Sequence, residues 1–406
     1  MYVQARATRT IYGPGENLLI CGSGLQLPPE ATAKKGEIQF VYLDPPFMTG
    51  ESFDRKRAYG EQGWKKGSPT LTVPGYVDKF ADEETYLAFL RGMIENARVL
   101  LRQEGVFCLH LDWRMSSQAR LLCDQIFGKE MFLNEIIWAY ESGGRSKKFF
   151  PRKHDTILMY ARSKKYRFDL SQVPIPRGEN RKNHMARKID EEGRSYSSII
   201  SGGKEYRYYD DDPVYPGDVW TDISILQQKD PERTGYPTQK PLKLLERLMK
   251  PVVQEGDWVA DLCCGSGTTV AAAERIGCHF LGLDANPETI SVAAARLKAE
   301  NLTILSETAV DGVESSAVYD PATKRVKIGA LNLAGAPYPA EARKEDLTES
   351  WELGRLEGEV FRGEKRYQRS FQYPALVDDV VASGDRIPDL LMTDAAGIRR
   401  IYTWKE

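Results

Sequence analysis

The fold is decided by the stretch DWVADLCCGSGTTVAAAERIGCHFLGLD, residues 257–284. A strand leads into a glycine turn, the alanine-rich residues 270–276 form a helix that Gly277 ends, and a second strand closes on Asp284. Gly265 and Gly267 allow a sharp turn and a close approach to a ligand. An acidic residue about twenty positions after such glycines is placed to bind ribose hydroxyls. The stretch therefore predicts a βαβ nucleoside site in an α/β sheet, against the alternative of a plain strand-to-helix turn.

The glycine turn also narrows the choice of cofactor. It has Gly-x-Gly but lacks the third glycine of the dinucleotide fingerprint, so that Ala271 or a neighbour would have to serve instead. It lacks the Lys-Ser/Thr ending of a phosphate-binding loop, which argues against ATP. The pattern favours S-adenosylmethionine over NAD.

A second informative stretch is Asp44-Pro45-Pro46-Phe47, which follows the apolar run of residues 38–43. The run predicts a buried strand, and the two prolines hold the chain in a non-helical turn at its carboxyl end. In open α/β sheets this end is where ligands bind. The turn offers a carboxylate, main-chain carbonyls and an aromatic face, which together suit a nucleobase with an exocyclic amine. The alternative is an ordinary strand-to-loop stop.

Together these stretches resemble the amino-group DNA methyltransferases that modify adenine N6 or cytosine N4. The turn at Asp44 is similar to their catalytic motif, and residues 261–267 are similar to their cofactor loop, although Cys263 stands where the family usually has Phe or a similar residue. Residues 238–241, Thr-Gln-Lys-Pro, resemble the helix start that precedes that loop. The order, catalytic motif first and cofactor loop last, resembles the β class of the family. The resemblance covers roughly residues 36–300.

The resemblance implies a set of site residues and partners. The expected catalytic residues are Asp44, Pro45, Pro46 and Phe47, with Phe47 stacking on a base flipped out of the duplex. The expected S-adenosylmethionine-binding residues are Asp261, Cys263, Gly265, Ser266, Gly267, Thr268, Thr269, Asp284, Thr238 and Lys240. Asp rather than Ser at position 44 favours adenine over cytosine. The expected substrate is double-stranded DNA. Relatives of the β class are often homodimers, and a restriction partner is left open.

The expected fold is α/β, a Rossmann-like methyltransferase sheet with helices on both faces, an inserted target-recognition region and a small β-rich C-terminal appendage. The predicted units are residues 1–139, the catalytic half; 140–233, the target-recognition region; 234–304, the cofactor-binding half; and 305–406, the appendage.

The predicted target-recognition region is rich in Gly, Pro and Tyr, and its first half carries many basic side chains. Such a surface attracts a phosphate backbone. The residues predicted to contact DNA are Arg145, Lys147, Lys148, Arg152 and Lys153. The alternative is a solvated insertion without a binding role.

Two further segments carry expectations. Residues 48–76 show no helical or strand period and combine Lys and Arg with aromatic residues, which predicts either a mobile loop over DNA or a solvated loop. A helix is expected from Asp82 to Arg102, followed by a strand at residues 106–111. His110 inside that strand is expected to be a core residue, and Asp112 at its end to line the pocket.

Composition excludes some classes of protein. The net charge is −2, so any nucleic-acid surface must be a local patch. No stretch has the length and apolarity of a membrane span, and the N-terminus lacks a signal-peptide core, which predicts a cytoplasmic protein. The six cysteines show no zinc spacing, so no metal is expected, and Cys263-Cys264 are expected to be packing residues. An RNA or protein-amide methyltransferase and a non-catalytic DNA-binding protein remain as alternatives.

Overall fold

A computed structural model describes residues 2–4, 10–13, 15–58, 70–141, 146–175, 186–227, 229–298, 301–306, 315–320, 325–331, 348–368, 379–381, 389–394 and 399–404. The strands are β1 (Tyr2–Gln4), β2 (Thr10–Tyr12), β3 (Asn17–Cys21), β4 (Ile38–Leu43), β5 (Glu51–Ala58), β6 (Thr70–Asp78), β7 (Leu101–Leu111), β8 (Phe132–Ala139), β9 (His154–Ala161), β10 (Arg187–Ile189), β11 (Ser195–Ser201), β12 (Lys204–Tyr209), β13 (Val219–Trp220), β14 (Trp258–Asp261), β15 (His279–Asp284), β16 (Leu302–Ser306), β17 (Ser315–Asp320), β18 (Arg325–Leu331), β19 (Thr348–Glu357), β20 (Val360–Gln368), β21 (Asp379–Val381), β22 (Asp389–Asp394) and β23 (Arg399–Trp404). The α-helices are α1 (Pro29–Thr32), α2 (Glu83–Leu100), α3 (Ser116–Phe127), α4 (Leu242–Met249), α5 (Thr268–Ile276) and α6 (Pro287–Arg296).

One large sheet organises the described part of the chain, in the order β1-β23-β22-β19-β20-β2-β16-β3-β15-β14-β4-β7-β9-β8-β13. Its central strands, from β16 through β3, β15, β14 and β4 to β7, run parallel. β9 then runs antiparallel between β7 and β8. All six residues of β4 are buried, as expected for a central strand covered on both faces. The predicted Rossmann-like sheet is confirmed.

The chain order reverses between β4 and β14, which lie side by side in the sheet. From β4 the chain passes through α2 to β7 on one side, and from β14 it passes through α5 to β15 on the other. Such a reversal opens a crevice beyond the carboxyl ends of the two strands. Asp44 follows β4 directly, and Asp261 is the last residue of β14, so the two stretches meet at this crevice.

Helices cover both faces of the sheet, as predicted. On one face α2 and α3 pack through Tyr86, Leu90 and Cys123. On the other face α4, α5 and α6 contribute an apolar cluster that includes Leu244, Val270, Ala273 and Ile290. The helix expected from Asp82 begins one residue later, because the Asp82 side chain accepts a hydrogen bond from the Thr85 N–H at 2.7 Å and caps it.

Residues 48–76 were expected to form an irregular loop without strands. This expectation was wrong, because β5 and β6 form an antiparallel hairpin. β5 has the sequence ESFDRKRA, in which charged residues obscure any strand period. Backbone pairing with β6 holds it instead. A Cβ at Gly75 would lie 1.7 Å from the Phe53 carbonyl oxygen, so the close approach of the two strands requires glycine there. Tyr59, Trp64, Lys65 and Lys66 of the same segment lie outside the described residues.

The predicted target-recognition region, residues 140–233, is structurally mixed. β9 and β13 belong to the large sheet, whereas β10, β11 and β12 form a separate antiparallel sheet. In the appendage, β19, β20, β22 and β23 extend the large sheet through the pairing of β20 with β2. The domain boundaries themselves stay a prediction. Across the described ranges, the helices are all too short or too polar to cross a membrane.

Candidate active site

The acid turn (residues 44–47) is held in place by groups behind it. Asp78, at the end of β6, is buried, and its carboxylate accepts hydrogen bonds from the N–H groups of Phe47, Met48 and Thr49 at 2.7–3.0 Å. The Thr49 hydroxyl donates to the same carboxylate at 2.8 Å. Met48 has a φ of 60°, a left-handed conformation that non-glycine residues rarely adopt. The bonds to Asp78 stabilise the turn in this unusual conformation.

The carbonyl groups of the two prolines differ in their environment. The Tyr86 hydroxyl donates to the Pro46 carbonyl at 2.8 Å, which ties the turn to α2. Within the described residues no donor reaches the Pro45 carbonyl. The Pro45 oxygen therefore retains its acceptor capacity for a ligand.

Asp44 is paired with Lys240, whose ammonium group lies 2.6 Å from Oδ2 of the carboxylate. The other carboxylate oxygen, Oδ1, is buried and has no hydrogen-bond partner. An unsatisfied buried acceptor is costly, and in a pocket it marks a place where a ligand donor binds well. Lys240 was predicted as a cofactor-binding residue, and sequence analysis missed its contact with Asp44. The sequence signal for Lys240 was the Thr-Gln-Lys-Pro motif, but Asp44, with which it pairs, lies 196 positions away in the chain.

The glycine loop (residues 261–269) is built around Asp261. Its carboxylate accepts hydrogen bonds from the Cys263 N–H at 3.0 Å and the Thr269 hydroxyl at 2.5 Å. Burial raises the pKa of Asp261 to about 7, although these hydrogen bonds act in the opposite direction. Asp261 therefore joins the first turn of α5 to the end of β14.

The two glycines of the loop have different roles. Gly265 lines the crevice, and a Cβ there would come no closer than 3.7 Å to Tyr236. Gly267 has a φ of 76°, and a Cβ there would lie 2.6 Å from the Cβ of Ala293 in α6. Gly267 is absent from the described cavity lining, so its small size serves the packing of the loop against α6.

Asp284, the predicted ribose-binding acid, ends β15 beside the loop. Its Oδ2 accepts a hydrogen bond from the Gly265 N–H and its Oδ1 accepts one from the Asn286 N–H, each at 2.9 Å. Burial raises the pKa of Asp284. Each carboxylate oxygen can accept more than one hydrogen bond, so the residue keeps capacity for a hydroxyl of a ligand.

A single cavity of about 650 Å³ joins the acid turn to the glycine loop. Its lining contains every predicted catalytic and cofactor-binding residue except Gly267, namely Asp44, Pro45, Pro46, Phe47, Thr238, Lys240, Asp261, Cys263, Gly265, Ser266, Thr268, Thr269 and Asp284. The two distant stretches are thus brought to one space, with the size of a ligand site. The Thr268 hydroxyl also donates to the Lys240 carbonyl at 3.1 Å, which links the loop to the Asp44 pair.

The β5–β6 hairpin covers one side of this cavity. Phe53 and Tyr76 stack with ring centroids 4.9 Å apart, and both line the cavity. Asn286 donates its amide to the Gly75 carbonyl at 3.1 Å. The hairpin therefore contacts both sides of the site, the acid turn through Asp78 and the cofactor side through Asn286.

A buried polar network lies beneath Phe47. The Tyr42 hydroxyl is 2.6 Å from Nδ1 of His110, and Nε2 of His110 is 3.1 Å from Asp155. Burial raises the pKa of Asp155, but the combined effect of His110, Lys240 and Tyr140 outweighs burial and the pKa is lowered. The Phe47 ring stacks on His110 at 6.0 Å. His110 is a satisfied core residue, as predicted, and it supports the aromatic face of the acid turn.

The structure also tests the expectations for Asp112 and for the two adjacent cysteines. Asp112 pairs with Arg114 and is absent from the described cavity lining, so the expectation that it lines the pocket was wrong. Burial raises the pKa of both Cys263 and Cys264 well above the usual thiol value, which keeps them as thiols.

The residues predicted to contact DNA fall in the loop between β8 and β9. Arg145 lies outside the described residues, and Lys147 and Lys148 are exposed. The Arg152 guanidinium lies 3.5 Å from the centroid of the Trp113 ring, and Lys153 donates to the Glu141 carbonyl. Their role in DNA binding stays a prediction.

Comparison with known proteins shows similarity to DNA methyltransferases. Residues 38–295 match the model of a family described as DNA methylase. The Type II methyltransferase M2.DpnII of Streptococcus pneumoniae is 37% identical over 277 residues, which cover 66% of this chain and 86% of the relative. The DNA adenine methyltransferase YhdJ of Escherichia coli (strain K12) is 25% identical, over 71% of this chain and 85% of the relative. A solved structure of the PvuII DNA methyltransferase (cytosine-N4-specific) is 15% identical, with a TM-score of 0.44 over 71% of this chain and 89% of that one.

Proposed function

The chain belongs to the DNA methylase family, and from that premise we propose that it methylates adenine N6 at a specific site in duplex DNA. The family as a whole consists of amino-group DNA methyltransferases, which act on adenine N6 or cytosine N4. The observation that carries the proposal is the position of Asp44. Its carboxylate, with one unpartnered buried oxygen, borders the same cavity as the glycine loop.

The cofactor is S-adenosylmethionine, and the residues present fit it. The cavity is large enough for a nucleoside, Gly265 places no side chain in its lining, and Asp284 has acceptor capacity for ribose hydroxyls. Asp261, Ser266 and Thr268 are further polar groups in the lining. When bound, the cofactor supplies an electrophilic methyl group on a sulfonium sulfur.

The acid turn prepares the amine that receives the methyl group. The lone pair of an exocyclic amine is delocalised into its ring, which makes the nitrogen a poor nucleophile. Hydrogen bonds from the amine to Oδ1 of Asp44 and to the Pro45 carbonyl draw the nitrogen toward tetrahedral geometry and localise the lone pair. The carboxylate also stabilises the positive charge that develops on nitrogen.

The surrounding residues keep the turn in one geometry. Lys240 binds Oδ2 of Asp44 at 2.6 Å, which restricts rotation of the carboxylate and leaves Oδ1 for the amine. Asp78 fixes the backbone of the turn through Phe47, Met48 and Thr49. The Phe47 ring, supported by His110, offers a flat surface for a base that has left the duplex stack.

We propose adenine N6 rather than cytosine N4 as the methylated position for two reasons. Asp stands at position 44, where cytosine-N4 members of the family more often have Ser. One relative, 25% identical, is described as a DNA adenine methyltransferase. Cytosine N4 is the alternative within the same chemistry.

The β8–β9 loop and the separate sheet of β10, β11 and β12 are proposed to hold the DNA. Lys147 and Lys148 are exposed and suited to phosphate contacts, and Tyr206 and Tyr208 are exposed aromatic residues on β12. Phosphate contacts position the duplex, whereas contacts to base edges provide specificity.

The test combines sequencing with a transfer assay. Long-read sequencing of DNA from cells that express the protein reports the modified base and its sequence context, and N6-methyladenine in one recurring context is expected. Purified protein is then given labelled S-adenosylmethionine with duplex DNA or RNA. The Asp44→Ala variant is expected to lose transfer while its cofactor affinity, measured by calorimetry, stays nearly unchanged. Labelled RNA with unlabelled DNA would reject the proposal, and N4-methylcytosine would shift it to the alternative base.

A further inference from the structure

The loop between β8 and β9 carries an aromatic cluster that the reaction chemistry above does not use. Phe150 is 96% exposed and Phe149 is 56% exposed, and both belong to a segment that we call the finger (residues 146–153). Trp113, at the end of β7, is 42% exposed beside it. Single exposed apolar residues are ordinary, whereas a contiguous exposed aromatic group marks an interaction surface.

The finger is held in a defined conformation. The Ser146 hydroxyl oxygen accepts hydrogen bonds from the N–H groups of Lys148 and Phe149 at 3.1 and 3.3 Å. At its base, the Tyr140 N–H donates to the Lys153 carbonyl at 2.9 Å. Local bonds at both ends of the segment therefore fix the backbone that carries the aromatic residues.

Arg152 completes this arrangement. Its guanidinium lies 3.5 Å from the centroid of the Trp113 ring and 4.9 Å from that of Phe149. Pro151 restricts Phe150, the residue before it, to extended conformations. The Phe150 ring lies outside this stack and is exposed to solvent. The local hydrogen bonds and the proline restrict the backbone that carries it, which reduces the entropy lost when the ring inserts into a partner.

The finger lies at the edge of the sheet where the cavity opens. β8 is parallel to β4, because β9 is antiparallel to both β7 and β8 while β7 is parallel to β4. The chain therefore leaves β8 at the edge where it also leaves β4 and enters the acid turn. β8 is three strands from β4, a distance of roughly 14 Å at the usual strand spacing. That distance is within the footprint of one duplex.

The charges of the finger point to a polyanionic partner. Lys147, Lys148 and Arg152 are exposed and flank the two phenylalanines. An aromatic ring between cationic side chains fits a nucleic-acid duplex, in which apolar wedges enter between bases and cations bind the phosphates.

We propose that Phe150 is the wedge that enters the duplex and fills the space left by the everted target base. The inference rests on the proposed function and adds a positioning residue to it. Eversion exposes a hole in the base stack, and a ring that occupies this hole slows the return of the base. Phe150 thus acts on base eversion and not on methyl transfer itself.

The experiment uses the full-length protein and duplexes that carry the recognition sequence found by sequencing. Phe150→Ala is compared with Leu121→Ala, a matched control because Leu121 is 65% exposed on α3. Both side chains are on the surface, so neither variant is expected to lose stability, which urea unfolding checks. One duplex has a fully paired target base, and the other places the same base opposite an abasic site. Eversion is followed separately by the fluorescence of 2-aminopurine at the target position.

For Phe150→Ala, kcat/KM on the paired duplex is expected to fall at least tenfold, with loss of the 2-aminopurine signal. On the duplex with the unpaired target, its kcat/KM is expected to lie within about threefold of wild type. Phe150→Trp is expected to retain activity on both. An unchanged kcat/KM on the paired duplex, or an equal loss on both duplexes, would overturn the wedge while leaving the proposed function intact. Failure of the wild-type protein to methylate either duplex would overturn both.

Discussion

Replacing Asp78 by Asn tests how the acid turn is held. Asp78 is buried, and its two oxygens accept four hydrogen bonds, from the N–H groups of Phe47, Met48 and Thr49 and from the Thr49 hydroxyl. Asn keeps the shape but has one acceptor oxygen and an amide that donates. If its oxygen takes the position of Oδ2, its amide faces the Met48 N–H, and that buried donor loses its partner.

The magnitude follows from these contacts. An unsatisfied buried N–H costs about 1–3 kcal/mol, and replacing a charged acceptor by a neutral one weakens each remaining bond by about 1 kcal/mol. Three bonds remain, so the free energy of unfolding is expected to fall by roughly 4–6 kcal/mol in all. A change of about 1.4 kcal/mol in the activation free energy corresponds to a tenfold change in rate. We expect the loosened turn to raise the activation free energy of methyl transfer by at least this amount, so that transfer slows at least tenfold.

The assays are urea unfolding and single-turnover methyl transfer with labelled cofactor. Asp82→Asn is the matched control, because Asp82 caps α2 through one exposed hydrogen bond and Asn is an equally good cap. The control is expected to stay within about 0.5 kcal/mol of wild type. The reasoning is refuted if Asp78→Asn unfolds and transfers like wild type, or if both variants are equally impaired.

Three further predictions concern the rest of the site. Lys240→Gln removes the 2.6 Å pair with the catalytic carboxylate and is expected to slow single-turnover transfer at least tenfold. Lys243→Gln, which changes an exposed side chain on the adjacent helix α4, is expected to change the rate little, and equal rates for the two variants would contradict this. Asp261 has a folded-state pKa of about 7, above its unfolded value of 3.8. Its contribution to stability is therefore present below pH 4 and is lost as pH rises toward 7. Urea unfolding from pH 4 to 8 should show this decline in wild type and a weaker one in Asp261→Asn. Gly267→Ala is expected to lower the stability in thermal unfolding by about 1–3 kcal/mol more than Gly36→Ala. Both glycines have left-handed backbones, but only a Cβ at Gly267 would meet α6. Similar losses of stability in the two variants would exclude a packing role for Gly267.

Local sequence signals were sufficient for the main elements of the fold. The apolar run at residues 38–43 and the stretch at 257–284 predicted β4, β14, α5 and β15 with bounds close to those observed. Each prediction rested on neighbours in sequence: apolar runs bounded by glycine and proline, and an alanine-rich helix ended by Gly277. These signals are local because strand burial, turns and helix caps depend on residues a few positions apart.

The β5–β6 hairpin shows where local signals fail. Its first strand is rich in charged residues, and it forms because backbone groups of β6 are available for pairing and because Gly75 allows the strands to approach. Side-chain periodicity does not report such pairing, since it reflects which side chains are buried and not which backbone groups are hydrogen-bonded. The function of the hairpin as a support for the acid turn was invisible for the same reason.

The sequence by itself determined which chemical groups are present: an acid turn after one buried strand, a glycine loop after another, and an acidic residue that ends the next. Only the tertiary structure decided how they are combined. It set Lys240 against Asp44 across 196 positions, enclosed both in one cavity with the glycine loop, and placed Asp78 behind the turn. Such pairings depend on strand order and on the packing of helices across the sheet, which are properties of the whole chain and leave no periodic trace in any short segment.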